Sequence, residues 1–360
     1  MIKIKFQVLT FIVFLISFNS YSQIGGNSIY KFLSLPNSAR ISSIGGYVVA
    51  AKDDDVTITL QNPSLINSSM DNHLGFTFLD YFADIGCGYA AYSKSYKKVG
   101  SFCAGLQYIN YGTFKKADAT SQIIGNFTAA DYCLNIGYSR QMDSLFTLGI
   151  AVKNIYSVYD IYKSYGLAAD LALLYYKQKS QFAASIIVKN IGTQLKEYVK
   201  GNKEPLPYEI QAGISQRLKH LPFRFFINLI HLEKFDLTYQ VPVDSSTDVN
   251  LMTPDTAKKT KIGKILKDAE PFGDKCLRHI VIGGEFMPIK NFYLRFGYNY
   301  QRRQELKFDT RIGMAGFSFG VGLKIYRFHI SYARAVYDIA GKTNQFTITT
   351  NLSDFISKGN

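Results

Sequence analysis

The chain has 360 residues, with 41 Lys and Arg against 27 Asp and Glu, and 47% of its residues are hydrophobic. No window reaches the roughly 18 uninterrupted apolar residues of a spanning helix, which excludes a polytopic helical membrane protein. Tyr (26) and Phe (27) are too plentiful for a disordered chain; together with 28 Gly they point to strands and tight turns.

Residues 1–22 read as a signal peptide. Lys3 and Lys5 give a positive start, Phe6 to Phe18 a short apolar stretch, and Ser20 and Ser22 the small residues ahead of a cut before Gln23. No Cys follows that cut, so a lipid anchor is not expected. Removal of the two lysines leaves 39 cations against 27 acids on 338 residues.

Residues 23–73 do not alternate. They contain a helix-like piece from Ile29 to Leu33, then Arg40, Gly45-Gly46, Asp53-Asp54-Asp55 and Asn62-Pro63. A periplasmic tail and a plug inside a barrel are both open to such a segment. The acidic run lacks the spacing and terminal Glu of a calcium loop, so a turn or cap role is expected.

From Leu74 onward the period is two. In 291–301, Phe292, Leu294, Phe296, Tyr298 and Tyr300 share one face, while Asn291, Arg295, Gly297, Asn299 and Gln301 share the other. About fourteen strands are expected: 74–83, 86–93, 100–112, 129–141, 145–156, 165–177, 181–192, 207–218, 222–241, 276–288, 291–302, 313–325, 327–337 and 345–352. Most are longer than the five or six residues usual in sandwiches, and long enough to cross a bilayer at a tilt. One face carries Arg224, Glu285, Arg295 and Arg327, which a wet barrel lumen tolerates and a sandwich core does not. The fold class expected is therefore all-β: an antiparallel transmembrane β-barrel over 74–352, an N-terminal hatch over 23–73 and a tail over 353–360. Short turns after even strands (94–99, 142–144, 178–180, 219–221, 289–290 and about 326) alternate with longer loops (113–128, 157–164, 193–206, 242–275, 303–312 and 338–344). Only 84–85 breaks the alternation. Short turns then face the periplasm and long loops the outside.

Few residues suggest chemistry. Cys87, Cys103, Cys133 and Cys276 show no metal-ligand spacing and read as small strand-filling residues, although a disulfide stays open in an exported chain. Gly316-Phe317-Ser318-Phe319-Gly320 matches G-x-S-x-G, but it lies inside a strand, and His329 falls roughly 16 Å along from any partner position. His279 and Glu285 share the lumen face six positions apart and read as lining. No catalytic, cofactor or metal residue is expected. In the longest loop, Lys258, Lys259, Lys261, Lys264 and Lys267 flank Ile262, Ile265 and Leu266 as a short basic amphipathic helix. It is solvated at the rim, or else touches anionic lipopolysaccharide or a protein partner.

The run Ala39-Arg40…Gly45-Gly46-Tyr47…Asp53-Asp54-Asp55…Gln61-Asn62-Pro63 resembles the hatch motif of the PorV/PorQ group, relatives of the FadL-type long-chain fatty-acid transporters. Asp71-Asn72-His73, Gln107 to Gly112, Lys189-Asn190-Ile191-Gly192 and Glu204 to Pro207 are most similar to the PorQ-like members. The resemblance implies a fourteen-stranded barrel with a hatch built on Arg40, Gly45, Gly46, Asp54, Asn62 and Pro63. It also implies an outer-membrane subunit of the type IX secretion system of Bacteroidetes, without enzymatic activity or cofactor. Such a subunit anchors a PorZ-like surface protein in the complex that joins exported cargo to lipopolysaccharide; the length and clustered positive charge of loop 242–275 make Lys258, Lys259, Lys261 and Lys264 the candidate contacts. Two departures stand out: Ser64 where relatives often carry Ala, and a chain end past Phe355 instead of on an aromatic. The alternative, passive transport of hydrophobic compounds, asks for a continuous apolar lumen. The inward positions Arg224, Asn228, Glu285, Arg295, Asn299 and Gln301 speak against one.

Overall fold

A computed structural model describes residues 28–83, 85–238, 272–306, 314–338 and 341–356. Fourteen antiparallel strands close into one barrel, each hydrogen-bonded to its sequence neighbours and β1 to β14. They are β1 (His73–Asp80), β2 (Gly86–Tyr96), β3 (Gly100–Ala117), β4 (Ile123–Gln141), β5 (Phe146–Tyr159), β6 (Tyr162–Lys177) and β7 (Phe182–Lys196), followed by β8 (Glu209–Arg217), β9 (Phe223–Leu229), β10 (Ile280–Ile289), β11 (Phe292–Asn299), β12 (Phe317–Ile325), β13 (Phe328–Asp338) and β14 (Gly341–Asn351).

Burial follows the two-residue period. On β5, Thr147, Gly149, Ala151, Lys153 and Ile155 point inward and are buried, while Phe146, Leu148, Ile150, Val152 and Tyr156 are exposed outside. Closure leaves the wall no edge, so its backbone polar groups are satisfied without water. Aromatic belts mark both ends of the apolar band. Tyr108, Tyr132 and Tyr156 lie side by side at one end, with centroids 4.9 and 6.3 Å apart; Phe146, Tyr175 and Phe182 do so at the other. Phe146 and Tyr156 are ten residues apart, which at the usual rise and tilt gives an apolar height of about 25 Å.

The wall is uneven, and here several expected boundaries need correction. The stretches 113–128 and 157–164, expected as loops, are mostly strand. β3 and β4 run on as a hairpin to the turn at 118–122, and β5 and β6 are joined through Asp160 and Ile161. Conversely, the strand expected over 222–241 ends at Leu229. His231 takes a left-handed φ of 54°, which turns the chain away although its apolar alternation continues. The strand expected from 313 starts at Phe317.

The segment 28–72 lies inside the barrel as a string of single turns: Lys31–Ser34, Ala39–Ser43, Val56–Leu60, Pro63–Leu65 and Ser68–Met70. Of the two open placements, plug and periplasmic tail, these residues take the plug. It fits because the wall presents glycines to it. A Cβ on Gly149 would sit 2.1 Å from the Ser64 nitrogen, and one on Gly297 2.1 Å from the Gly45 nitrogen. Inward glycines of β3, β10 and β12 meet Leu60, Ile44 and Ser43 in the same way.

Two substitutions on β5 separate wall from plug. Val152→Arg, on the lipid face midway between the belts, should cost about 2–4 kcal/mol of folding free energy in vesicles, read by urea titration. Gly149→Leu should leave a folded, heat-modifiable barrel on gels while exposing 28–72 to protease. If Gly149→Leu abolishes the folded band, the plug is needed to build the wall.

Candidate functional site

An irregular segment in a barrel must find partners for its backbone groups among the inward side chains. Those side chains are placed for that task. Ser318 Oγ accepts from Gly45 N (2.9 Å) and donates to the Ser43 carbonyl (3.0 Å). Asn228 accepts from Val49 N and donates to the Tyr47 carbonyl, both at 3.1 Å. Gln345 donates to the Pro36 carbonyl, Gln107 to the Phe32 carbonyl, and Thr347 accepts from Ala39 N. The G-x-S-x-G serine is thus a docking group for the plug. It faces Ala335 on β13, six rows from His329, which faces Lys324.

One ionic cluster fastens plug to wall. The Arg40 guanidinium makes two bonds to Asp53 (2.7 and 3.0 Å), reaches Asp55 at 3.2 Å and contacts both oxygens of Glu285 (2.9 and 3.1 Å). Arg224 bonds Asp53 at 2.7 Å, and Arg295 bonds Glu285 at 2.8 Å. Three arginines therefore meet three carboxylates, with the Arg40 and Glu285 side chains almost wholly enclosed. Burial alone would raise the Asp53 pKa; the Arg40 and Arg224 charges outweigh it and hold the carboxyl well below the usual range. A second enclosed pair, Lys153 with Asp170 at 2.7 Å, sits at mid-depth on β5 and β6.

The hatch residues named from the sequence fall as follows. Arg40 is the centre of the cluster. Gly45 and Gly46 both take positive φ (86° and 94°) in the turn that meets β11. Asn62 caps the turn Pro63–Leu65 by accepting from Ser64 N, and its amide also donates to the Val49 carbonyl and to Ser185 of the wall. Of the acidic run, Asp54 only lines the mouth, and its carbonyl accepts from His73. Asp53 and Asp55 make the ion pairs, and Asp55 also caps Val56–Leu60. Lys258, Lys259, Lys261 and Lys264 lie outside the described residues. All four cysteines are free thiols, Cys103 within 3.0 Å of the Thr59 hydroxyl. No group of residues suited to a metal occurs among the described residues.

Two cavities open at the short-turn mouth beside the plug, one of about 390 Å³ against the ionic cluster and one of about 490 Å³ against β2–β5. At the other end, Tyr30, Phe32 and Leu33 pack with Leu79, Tyr89, Ile109 and Ile155 and close the lumen with apolar side chains. Above them the β3–β4 hairpin leaves the wall. β2 accompanies β3 only to Asn110 and β5 accompanies β4 only from Ala129, so 111–128 stands as a two-stranded ribbon with both edges unpaired. Its root is fixed where Asp131 accepts from Tyr111 (2.7 Å), Tyr159 (3.1 Å) and Ser157.

Replacing Arg40 by Met leaves buried carboxylates short of a cation. It should weaken plug docking by about 3–5 kcal/mol, seen as rapid protease nicking within 28–72 of an otherwise folded barrel. The acid response follows from Asp53. A depressed pKa stabilises docking above the unfolded value of about 3.9, and that contribution is lost only as pH falls through the lower folded value. Protease resistance should thus be flat from about pH 5 to 8 and decline only below about pH 4. A decline already at about pH 6 would show that another group controls docking.

No family model and no curated protein matches the chain. Among solved structures it is similar to a TodX ΔS2S3 mutant monoaromatic hydrocarbon channel, with 10% identity over 88% of this chain and 99% of that one and a TM-score of 0.51. It is also similar to the Pseudomonas putida toluene transporter TodX (10% identity, 89% and 99% covered, TM-score 0.49) and to a Pseudomonas aeruginosa FadL homologue (7%, 88% and 98%, 0.46). At such identities the likeness concerns the fold alone: a closed fourteen-stranded barrel like the FadL-type outer-membrane barrels.

Proposed function

We propose that the chain resides in the outer membrane, long loops outward, and works as a non-enzymatic anchoring subunit whose lumen is kept shut. The observation that carries this proposal is the fastening of 28–72 across the barrel by the Arg40 cluster and by hydrogen bonds from strands on opposite sides of the wall. A conduit profits from a plug held loosely and an apolar path; an anchor profits from a stiff body with an exposed docking surface. The ribbon 111–128 supplies such a surface, with Phe114, Ile123 and Ile124 exposed and edges free to pair with a partner's strand. The resemblance of the hatch run to PorQ-like proteins names the setting: a type IX secretion attachment complex holding a PorZ-like surface protein near lipopolysaccharide.

A second reading, passive transport of hydrophobic compounds, is favoured by the fold likeness, since the similar solved structures are described as a hydrocarbon channel and a toluene transporter. The comparisons support that reading better than the secretion role.

Affinity capture of the barrel from detergent-solubilised outer membranes, followed by mass spectrometry, tests the choice. Secretion components should co-purify, and changing Ile123 and Ile124 to Lys should reduce the retained surface partner at least about fivefold with the barrel still inserted. Reversing Lys258, Lys259, Lys261 and Lys264 to Glu tests the other candidate contact. If no secretion component is recovered and uptake of a hydrophobic probe depends on the barrel, the transporter stands instead.

A further inference from the structure

The positive charge of this chain is gathered at one end. The six short-turn connections with their strand ends (94–101, 140–146, 177–182, 217–223, 287–293 and 324–329) hold eleven Lys and Arg against one acid, Asp143. The opposite connections (80–86, 111–128, 159–163, 193–209, 230–279, 300–316 and 338–342) hold 19 against 18. Nearly all of the excess left after residues 1–22 therefore sits on the short-turn rim.

These cations converge on the mouth. Lys97, Lys98 and Arg140 line the larger cavity together with Lys52, whose ammonium lies over the Tyr176 ring. The acid there, Asp71, is already held by Lys94 at 3.3 Å and by Ser95 N. Arg217, Lys324 and Arg327 line the smaller cavity. Its carboxylates Asp53, Asp55 and Glu285 are taken up by the three arginines of the plug cluster, which leaves Asp54 and Asp354 to face those outer cations. The cations outnumber the acids in both cavities, and a concave site with a net charge focuses its field and raises the local concentration of an opposite charge.

We infer that the short-turn mouth is a docking surface for an acidic polypeptide segment of a soluble partner on that side of the membrane. Charge complementarity selects the occupant. Anionic lipid headgroups surround the wall from outside and do not reach cavities lined from within the strand ring. A second copy would set one basic rim against another. This surface lies opposite the ribbon and does not depend on what the long-loop side holds.

A fluorescent ten-residue oligoglutamate, titrated by anisotropy against the full barrel folded in zwitterionic detergent, is the probe. Binding should weaken about tenfold or more between 50 and 300 mM salt, because exposed charges are screened beyond several ångströms. A variant carrying Lys97→Glu, Lys98→Glu, Arg217→Glu and Lys324→Glu should lose at least about tenfold at low salt. The long-loop control Lys196→Glu, Lys200→Glu, Lys203→Glu should stay within about twofold of the parent. A cysteine introduced as Ser68→Cys in the mouth should be shielded from maleimide by the probe, and not by phosphatidylglycerol in nanodiscs. Equal losses in the two variants, or an unshielded Ser68→Cys, overturn the proposal. It also falls if the short-turn variant binds peptide like the parent and loses only phosphatidylglycerol, because the cations then serve the lipid leaflet.

Discussion

A single guanidinium organises the interior. Arg40 stands where plug meets wall, and its two terminal nitrogens make four hydrogen bonds to Asp53, Asp55 and Glu285 at once. None of these groups is tolerable alone in an enclosed space, because an uncompensated buried charge costs several kcal/mol. The cluster is neutral only when the plug is seated: the wall alone brings Arg224, Arg295 and Glu285, the plug Arg40, Asp53 and Asp55. Seating therefore depends on matching charge as well as shape, and the inward glycines, with no Cβ in the way, let the two backbones come close enough to make that match.

What the sequence disclosed depended on whether a residue had a dry side and a wet side. All fourteen strands were legible because lipid outside and polar plug inside impose alternation, as on β11, where Leu294 and Phe296 are exposed and Arg295 and Gly297 buried. Above the aromatic belt both faces of the β3–β4 ribbon are in water, the contrast vanishes, and 113–128 looks like a loop. The overlong ninth strand failed for the opposite reason. Alternation persists past Leu229, and the left-handed turn at His231 leaves no mark in residue type. The plug has no period at all, so Arg40 and the acidic run 53–55 could be singled out through resemblance, while their pairing with each other and with Glu285 could not. One signal was present and unused: glycines at inward parity in mid-strand, such as Gly105, Gly149, Gly283 and Gly297, show that something approaches the wall closely.

The same polar interior bears on transport. The likeness to hydrocarbon channels is a likeness of strand number and closure, and a wall of this kind is compatible with many interiors. Here the inward Ser318, Asn228, Gln345 and Gln107 bond plug backbone groups and Arg224 a plug carboxylate, while the apolar residues of the long-loop end pack on Tyr30 and Phe32. A hydrophobic molecule crossing the lumen would have to separate those pairs and leave buried polar groups without partners, at about 1–3 kcal/mol each. Several such losses along one path add up to a barrier that slows passage for as long as the plug is seated. A barrel so filled resists passage in proportion to how well its plug is bonded.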